Sequence, residues 1–98
     1  MARLESMRAE DFLPHIGTSF RVTTGVEPVV LELAEVYPYP RYAGAPRQDP
    51  FGIVFTGPSG LVQRIYRLEH AAMGTLELFL VPIGSARGGA ARYEAVFN

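Results

Sequence analysis

The segment LEHAAMGTLELFLVPIG, residues 68–84, decides the fold of this chain. It joins a Glu69-His70 pair to the densest apolar run in the sequence. Neighbouring side chains of a strand point to opposite faces, so Leu68 and His70 share one face and Glu69 lies on the other. The apolar partners mark the first face as the inner one. We therefore expect His70 at or near the core, and Glu69 in water beside Arg67 or an arginine of a neighbouring strand.

Three residues of this segment are predicted to be structural. A buried imidazole needs hydrogen-bond partners, and a backbone carbonyl of the 71–74 turn is the expected partner of His70. Gly74 indicates a position where the backbone has positive φ or leaves no room for a side chain. Pro82 is expected at the end of a strand, where its missing N–H matters least.

Period-two alternation continues outward from this segment in both directions. The predicted strands are residues 18–24, 29–37, 51–56, 61–70, 74–82 and 92–97. The second strand loses its phase after Leu33, which predicts a bulge near residues 34–35. Residues 9–16 are predicted to form a short helical turn, which Pro14 keeps short.

Six short strands and no long helical period predict an all-β fold. We expect a small six-stranded, mainly antiparallel barrel-like sandwich with a short N-terminal helical turn. Ninety-eight residues predict one domain, with residues 1–8 as a flexible N-terminus and residues 9–98 as a single β-domain.

The composition excludes several classes of function. The chain has no Cys, so disulfides and thiolate catalysis are impossible. Its net charge of −1 gives no basic field for nucleic acid or a membrane surface. The N-terminus lacks the apolar stretch of a signal peptide, and the longest apolar run is too short to span a bilayer. We therefore expect a cytoplasmic protein by default, with export by another route left open.

Residues that could carry catalysis or bind a metal do not form a convincing set. Asp11 and His15 are spaced i, i+4 and could join His70 as metal ligands, but Pro14 disturbs the helix that they need. Ser59 lies in a G-P-S-G turn and not in a nucleophile elbow. Nucleotide-binding loops are absent from the sequence. We predict no metal, no cofactor and no enzymatic activity, and a hydrolase using His70 with a carboxylate is the alternative.

The best candidate for a binding surface is the loop at residues 37–47. Tyr37, Tyr39 and Tyr42 alternate with prolines, and Arg41 and Arg47 lie among them. Tyr and Arg often carry interface energy, and proline lowers the entropy cost of ordering a loop. The alternative is a stiff connection whose tyrosines fold back over the end of the barrel.

The chain also resembles a known family. The motifs that carry the resemblance are EDF…G..F.V, LEL..V, F.I.F.GP, Q..Y.LEH..MG.LELFLVPIG and RYEAVFN. Together they cover residues 10–98 and are similar to the bacterial DUF6916 family of small uncharacterised domains. The resemblance implies no catalytic residues. It does suggest an accessory role beside phage-tail-like or fibre proteins.

Two hypotheses follow for the function. The first is a non-enzymatic structural or protein-interaction module that contacts a protein partner or a second copy of itself. The alternative is a β-barrel that binds a small molecule or carbohydrate at the 37–47 loop, since tyrosine faces suit sugar rings and small barrels can hold a ligand at an open end.

Overall fold

The computed structural model describes residues 6–25, 28–39, 49–86 and 88–97. Within these ranges the chain forms helix α1 (Ala9–Phe12), one 3-10 turn over Leu13–His15, and six strands. The strands are β1 (Ser19–Val22), β2 (Val29–Pro38), β3 (Phe51–Gly57), β4 (Arg64–His70), β5 (Gly74–Ser85) and β6 (Ala91–Phe97). None of the described helices has the length and apolar character needed to cross a membrane.

The six strands close into an antiparallel barrel in the order β1-β2-β3-β6-β5-β4. Val22 shows the closure directly, because it pairs with Val29 on β2 and with Leu68 on β4. Closure satisfies the backbone groups that an open sheet would leave at its edges. The predicted six-stranded antiparallel fold with a short N-terminal helical turn is confirmed, and it takes the form of a closed barrel.

Strand β2 contains the bulge that its sequence predicts. Its pairing with β3 shifts between Leu33 and Glu35, so that Ala34 is the extra residue. Leu33 pairs with Phe55 before the shift, and Glu35 pairs with Val54 after it. The bulge lets Leu33 and Val36 face the same side although they are three positions apart in the sequence.

Strand β5 is longer than its sequence predicts. We expected it to end at Pro82, but it continues to Ser85. Its register with β6 shifts between Pro82 and Gly84. Pro82 therefore lies at an irregularity inside the strand and not at its end, and such irregularities are among the few sites where a strand accepts proline.

The barrel interior is filled by side chains. Alternate residues of all six strands point inward and form one hydrophobic cluster together with Phe12 of α1. Its largest fully buried members are Phe12, Phe20, Leu31, Leu33, Phe51, Ile53, Phe55, Leu68, Leu76, Leu78, Leu80 and Tyr93. A six-stranded barrel is narrow, so inward side chains of this size leave it packed and not hollow.

The N-terminal segment, residues 9–15, closes one end of the barrel. Phe12 is fully buried there, with its ring 5.9 Å from that of Phe51 and 5.5 Å from that of Phe97. The Phe51 and Phe97 rings stack on each other at 4.5 Å. Strand β3 begins at Phe51 and strand β6 ends at Phe97. Phe12 therefore covers these two aromatic residues at the end of the sheet.

The loop between β3 and β4 lies at the opposite end. The Tyr93 hydroxyl donates to the Pro58 carbonyl at 2.7 Å and accepts from the Leu61 N–H at 3.3 Å. The Tyr66 hydroxyl donates to the Val62 carbonyl at 2.7 Å. Both tyrosine rings are buried in the core, and their hydroxyls hold the loop against the barrel.

Candidate functional site

His70 organises the hairpin between β4 and β5. Its Nδ1 accepts hydrogen bonds from the Ala72 N–H at 3.0 Å and the Met73 N–H at 3.1 Å. The hairpin closes where His70 pairs with Gly74, which has φ +77° and open space where a Cβ would lie. Positive φ, and not crowding, is therefore the reason for a glycine at this position.

The other ring nitrogen of His70 reaches the N-terminal segment. Its Nε2 lies 2.9 Å from the Thr18 hydroxyl oxygen, and the Thr18 hydroxyl donates to the His15 carbonyl at 2.6 Å. We expected a turn carbonyl to be the partner of His70, and this expectation is wrong. The turn presents its N–H groups to the ring, so the imidazole is the acceptor.

The His70 ring is packed between two other rings. The Phe20 ring centroid lies 4.3 Å away, and the His15 ring meets it edge-on at 4.7 Å. Desolvation by this burial, followed by the nearby His15 charge, lowers the pKa of His70 below its ordinary value. We call His15, Thr18, Phe20 and His70 the His70 cluster.

Glu69 points away from this cluster, as the period-two pattern predicts. Its carboxylate pairs with the Arg21 guanidinium on β1 at 3.0 Å, which confirms the expectation of a neighbouring strand's arginine. Both side chains are largely exposed, so the pair contributes little to stability. Arg21, Glu69, His70 and Ala71 line a cavity of about 300 Å³ that opens to solvent.

The metal-site hypothesis gains no support from the described part of the chain. The Asp11 carboxylate accepts the Arg8 backbone N–H at 2.8 Å, which engages it at the start of α1. No group of three or more His, Cys, Asp or Glu side chains among the described residues could hold a metal ion.

Tyr37 and Tyr39 lie on the outer surface of the barrel. Their rings meet at 5.2 Å, and their hydroxyls lie 3.1 Å apart. The Tyr39 hydroxyl donates to the Glu94 carboxylate at 2.7 Å. Both rings lie over Gly52, where an added Cβ would come within 2.9 Å of them. These two tyrosines, which we call the tyrosine pair, fold back onto the sheet, whereas Arg41, Tyr42 and Arg47 lie outside the described residues.

Strand β3 is consequently covered on both faces. The Arg92 guanidinium of β6 contacts the Glu35 carboxylate of β2 at 2.7 Å, and this ion pair spans β3. The bond from Tyr39 to Glu94 spans it a second time. Val54, which lies outside the core cluster, is buried beneath these contacts. Our sequence prediction missed this outer layer, although the continuous apolar run of β3 is typical of a strand that is buried on both faces.

An exposed apolar row begins where the tyrosine pair ends. Gly52 pairs with Val96 on β6, and Ile65 of β4 pairs with Phe79 of β5. On the next strand, β6, Val96 lies two residues beyond Glu94, which is the partner of Val81 on β5. Ile65 is 60% exposed, Phe79 50% and Val96 43%. We call Ile65, Phe79 and Val96 the outer row.

The outer row was not singled out from the sequence as a surface. The motif Q..Y.LEH..MG.LELFLVPIG contains Phe79 but does not mark it as part of a surface. The signal was present in the alternation of β5, where Phe79 falls on the face opposite Leu78 and Leu80. An outward aromatic residue becomes informative when another exposed apolar residue lies beside it, as Ile65 lies beside Phe79.

Comparison with protein families gives one result that covers almost the whole chain. Residues 7–97 match the model of a family described as a domain of unknown function, DUF6916. Neither the curated proteins nor the solved structures include a match to this chain. The matched region contains the complete barrel and the helix that closes it. The chain therefore belongs to the DUF6916 domain family.

Proposed function

We propose that this domain is a non-enzymatic protein-interaction module that associates with a second copy of itself through the outer row. The observation that carries the proposal is the placement of three exposed apolar residues, Ile65, Phe79 and Val96, on three neighbouring strands, with Ile65 and Phe79 directly paired. Apolar residues scattered singly on a surface need no explanation, whereas a continuous row next to aromatic residues is typical of an interface.

The charges beside the row favour a second copy as the occupant. On one side the Arg67 guanidinium and the Glu77 carboxylate lie 3.5 Å apart, so both signs are present at the rim. A two-fold interface brings the same patch of each copy together, and a rim with both signs can then place opposite charges in contact. The net charge of −1 adds little repulsion between copies.

The state of His70 supports the non-enzymatic part of the proposal. Both of its ring nitrogens are engaged in hydrogen bonds within the fold, so neither nitrogen contacts a substrate while these bonds are formed. The filled barrel interior likewise offers no argument for a ligand in the centre. The alternative of a small-molecule or carbohydrate site at the 37–47 loop stays a prediction.

Light scattering coupled to size exclusion tests the proposal with Phe79→Glu. Two carboxylates would meet across the two-fold interface without partners, so we expect dissociation to monomers. Loss of a central aromatic anchor costs about 2–3 kcal/mol, roughly a 100-fold increase in Kd.

The matched control is Val30→Glu, which adds the same charge to an exposed valine on β2. The barrel order sets β2 three strands from β5 in either direction, on the opposite side. This variant should keep the mass of the wild type. A wild-type chain that is monomeric at about 1 mM, where contacts with Kd of that order are half occupied, would overturn the proposal.

A narrower form of the proposal rests on the family resemblance alone. In it, the self-associating domain is an accessory of a phage-tail-like or fibre assembly, and copies joined through the outer row contact that assembly. Genes for tail or fibre proteins beside this gene, and copurification with their products that Phe79→Glu abolishes, would support it. Copurification that survives Phe79→Glu would assign the contact to another face.

A further inference from the structure

We propose that the His70 cluster is an acid-sensitive junction: while neutral, His70 ties the N-terminal segment to the β4–β5 turn, and on protonation it releases the turn. This device goes beyond the proposed interaction function and does not depend on it. It rests on which hydrogen-bonding roles the two ring nitrogens have in the fold.

The Nδ1 atom must carry a lone pair, because two backbone N–H groups donate to it. In the neutral imidazole the proton then resides on Nε2, which donates to the Thr18 hydroxyl. That hydroxyl uses its own proton on the His15 carbonyl. Donors and acceptors match along the whole chain of bonds, from the turn amides through the ring to the N-terminal segment.

A second proton on the ring breaks this match. It can bind only at Nδ1, where it would replace an acceptor by a donor that faces two other donors. The Ala72 and Met73 N–H groups would both lose their partner, and a donor left facing a donor is costly. The turn must therefore move away from the protonated ring.

The groups that surround the ring favour its neutral form. The Phe20 ring and the partial burial disfavour a charge, and the His15 imidazole adds repulsion when it is protonated. Arg21 and Glu69 line the cavity beside the ring, and their ion pair at 3.0 Å offsets the carboxylate charge there. Among the described residues the hydrogen bonds of the ring go to Thr18, Ala72 and Met73, and no carboxylate accepts one.

The proton can reach the ring without unfolding of the barrel. The cavity of about 300 Å³ that His70 lines opens to solvent. Burial and His15 lower the pKa of His70, so the junction is closed near neutral pH and opens below the ordinary histidine range of about 6.5. Release is local, because His70 lies at the end of β4 and not in the centre of the core.

Hydrogen exchange of the wild-type chain tests the proposal at single amides. We expect the protection factors of the Ala72 and Met73 amides to fall by at least about tenfold between pH 7.5 and pH 4.5. The Tyr39 amide, which donates to the Pro50 carbonyl at 2.9 Å, should keep its protection factor. Unchanged protection at residues 72 and 73, or an equal fall at Tyr39, would refute a local junction.

A pair of variants separates His70 from the other titrating groups. In His70→Asn the amide oxygen occupies the place of Nδ1 and accepts the same two N–H groups, but it does not titrate. We expect this variant to lose the pH dependence of exchange at residues 72 and 73. His15→Asn should keep that dependence with its midpoint at higher pH, because the repulsion of the His15 charge is gone.

Two results would contradict the assignment of the acid-sensitive junction to His70. One is a His70→Asn variant with the same acid-dependent loss of protection as the wild type. The other is a nitrogen NMR spectrum that places the neutral proton of His70 on Nδ1. The spectrum of the wild-type chain decides the matter even if His70→Asn does not fold.

Discussion

At the scale of the residue, Gly52 has a larger effect than its size suggests. Both rings of the tyrosine pair lie over it, with Tyr37 and Tyr39 atoms 2.8–2.9 Å from where a Cβ would be. The glycine thus lets two aromatic rings seal the outer face of a buried strand. In this position the Tyr39 hydroxyl donates a hydrogen bond to the Glu94 carboxylate on β6.

Gly52→Ala should therefore displace the tyrosine pair. We expect the free energy of unfolding to fall by about 1–2 kcal/mol, which is typical of an overpacked site. Urea denaturation of the variant measures this loss. Its control is the same substitution in a chain where Tyr37 and Tyr39 are both Ala: there the methyl group has room, and an equal cost in that background would contradict our explanation.

At the scale of the element, the bulge of β2 keeps two halves of one strand in phase. Ala34 is the extra residue of the bulge, without a partner in the register of β2 with β3. Its removal would still leave Leu33 facing the core and Glu35 facing solvent, because the two would then alternate as neighbours in a regular strand. The strand would lose only the bend and added twist that a bulge provides.

Deletion of Ala34 is therefore expected to leave a folded barrel at a cost of about 1–2 kcal/mol, within the range of ordinary point mutations. Deletion of Glu32 is the contrasting variant. It removes a residue from the regular part of the strand and sets Leu31 and Leu33 on opposite faces, so we expect no cooperative unfolding transition. Thermal melts followed by circular dichroism distinguish the two, and similar melts would contradict the assignment of the bulge to Ala34.

The elements also show what alternation can and cannot reveal. The phase slip after Leu33 predicted the bulge, because a one-residue shift moves every later side chain to the wrong face. The order of the strands around the barrel was not predictable, because pairing partners far apart in sequence leave no local signal. For the same reason the Thr18 partner of His70, fifty-two residues away, was missed. Alternation also does not encode the turn geometry that makes Nδ1 of His70 a hydrogen-bond acceptor.

At the scale of the whole molecule, the barrel is closed around its side by strand pairing and at one end by Phe12. Phe12 enters the core from outside the sheet and covers the stacked Phe51 and Phe97 rings. A domain of this size has a total stability of about 5–15 kcal/mol, so one large buried ring is a substantial share of it.

Phe12→Ala is expected to lower the free energy of unfolding by about 3–5 kcal/mol, the usual range for a buried aromatic residue. The neighbouring Leu13, which is 49% exposed, supplies the control. Leu13→Ala should change stability by no more than about 0.5 kcal/mol. Chemical denaturation of both variants tests this difference. Equal effects of the two would mean that the N-terminal segment lies on the barrel without closing it.

The joint between β1 and β4 is the shortest in the described part of the ring, where Arg21 pairs with Glu69 and Val22 with Leu68. Because so few residue pairs join these two strands, we expect the barrel to open first between them. A parting there turns the ring into an open sheet with two free edges, and each edge offers unsatisfied backbone groups to another chain. The same parting would let two copies exchange strands, which is domain swapping. We therefore expect mild heating to favour the exchange of strands between two monomers.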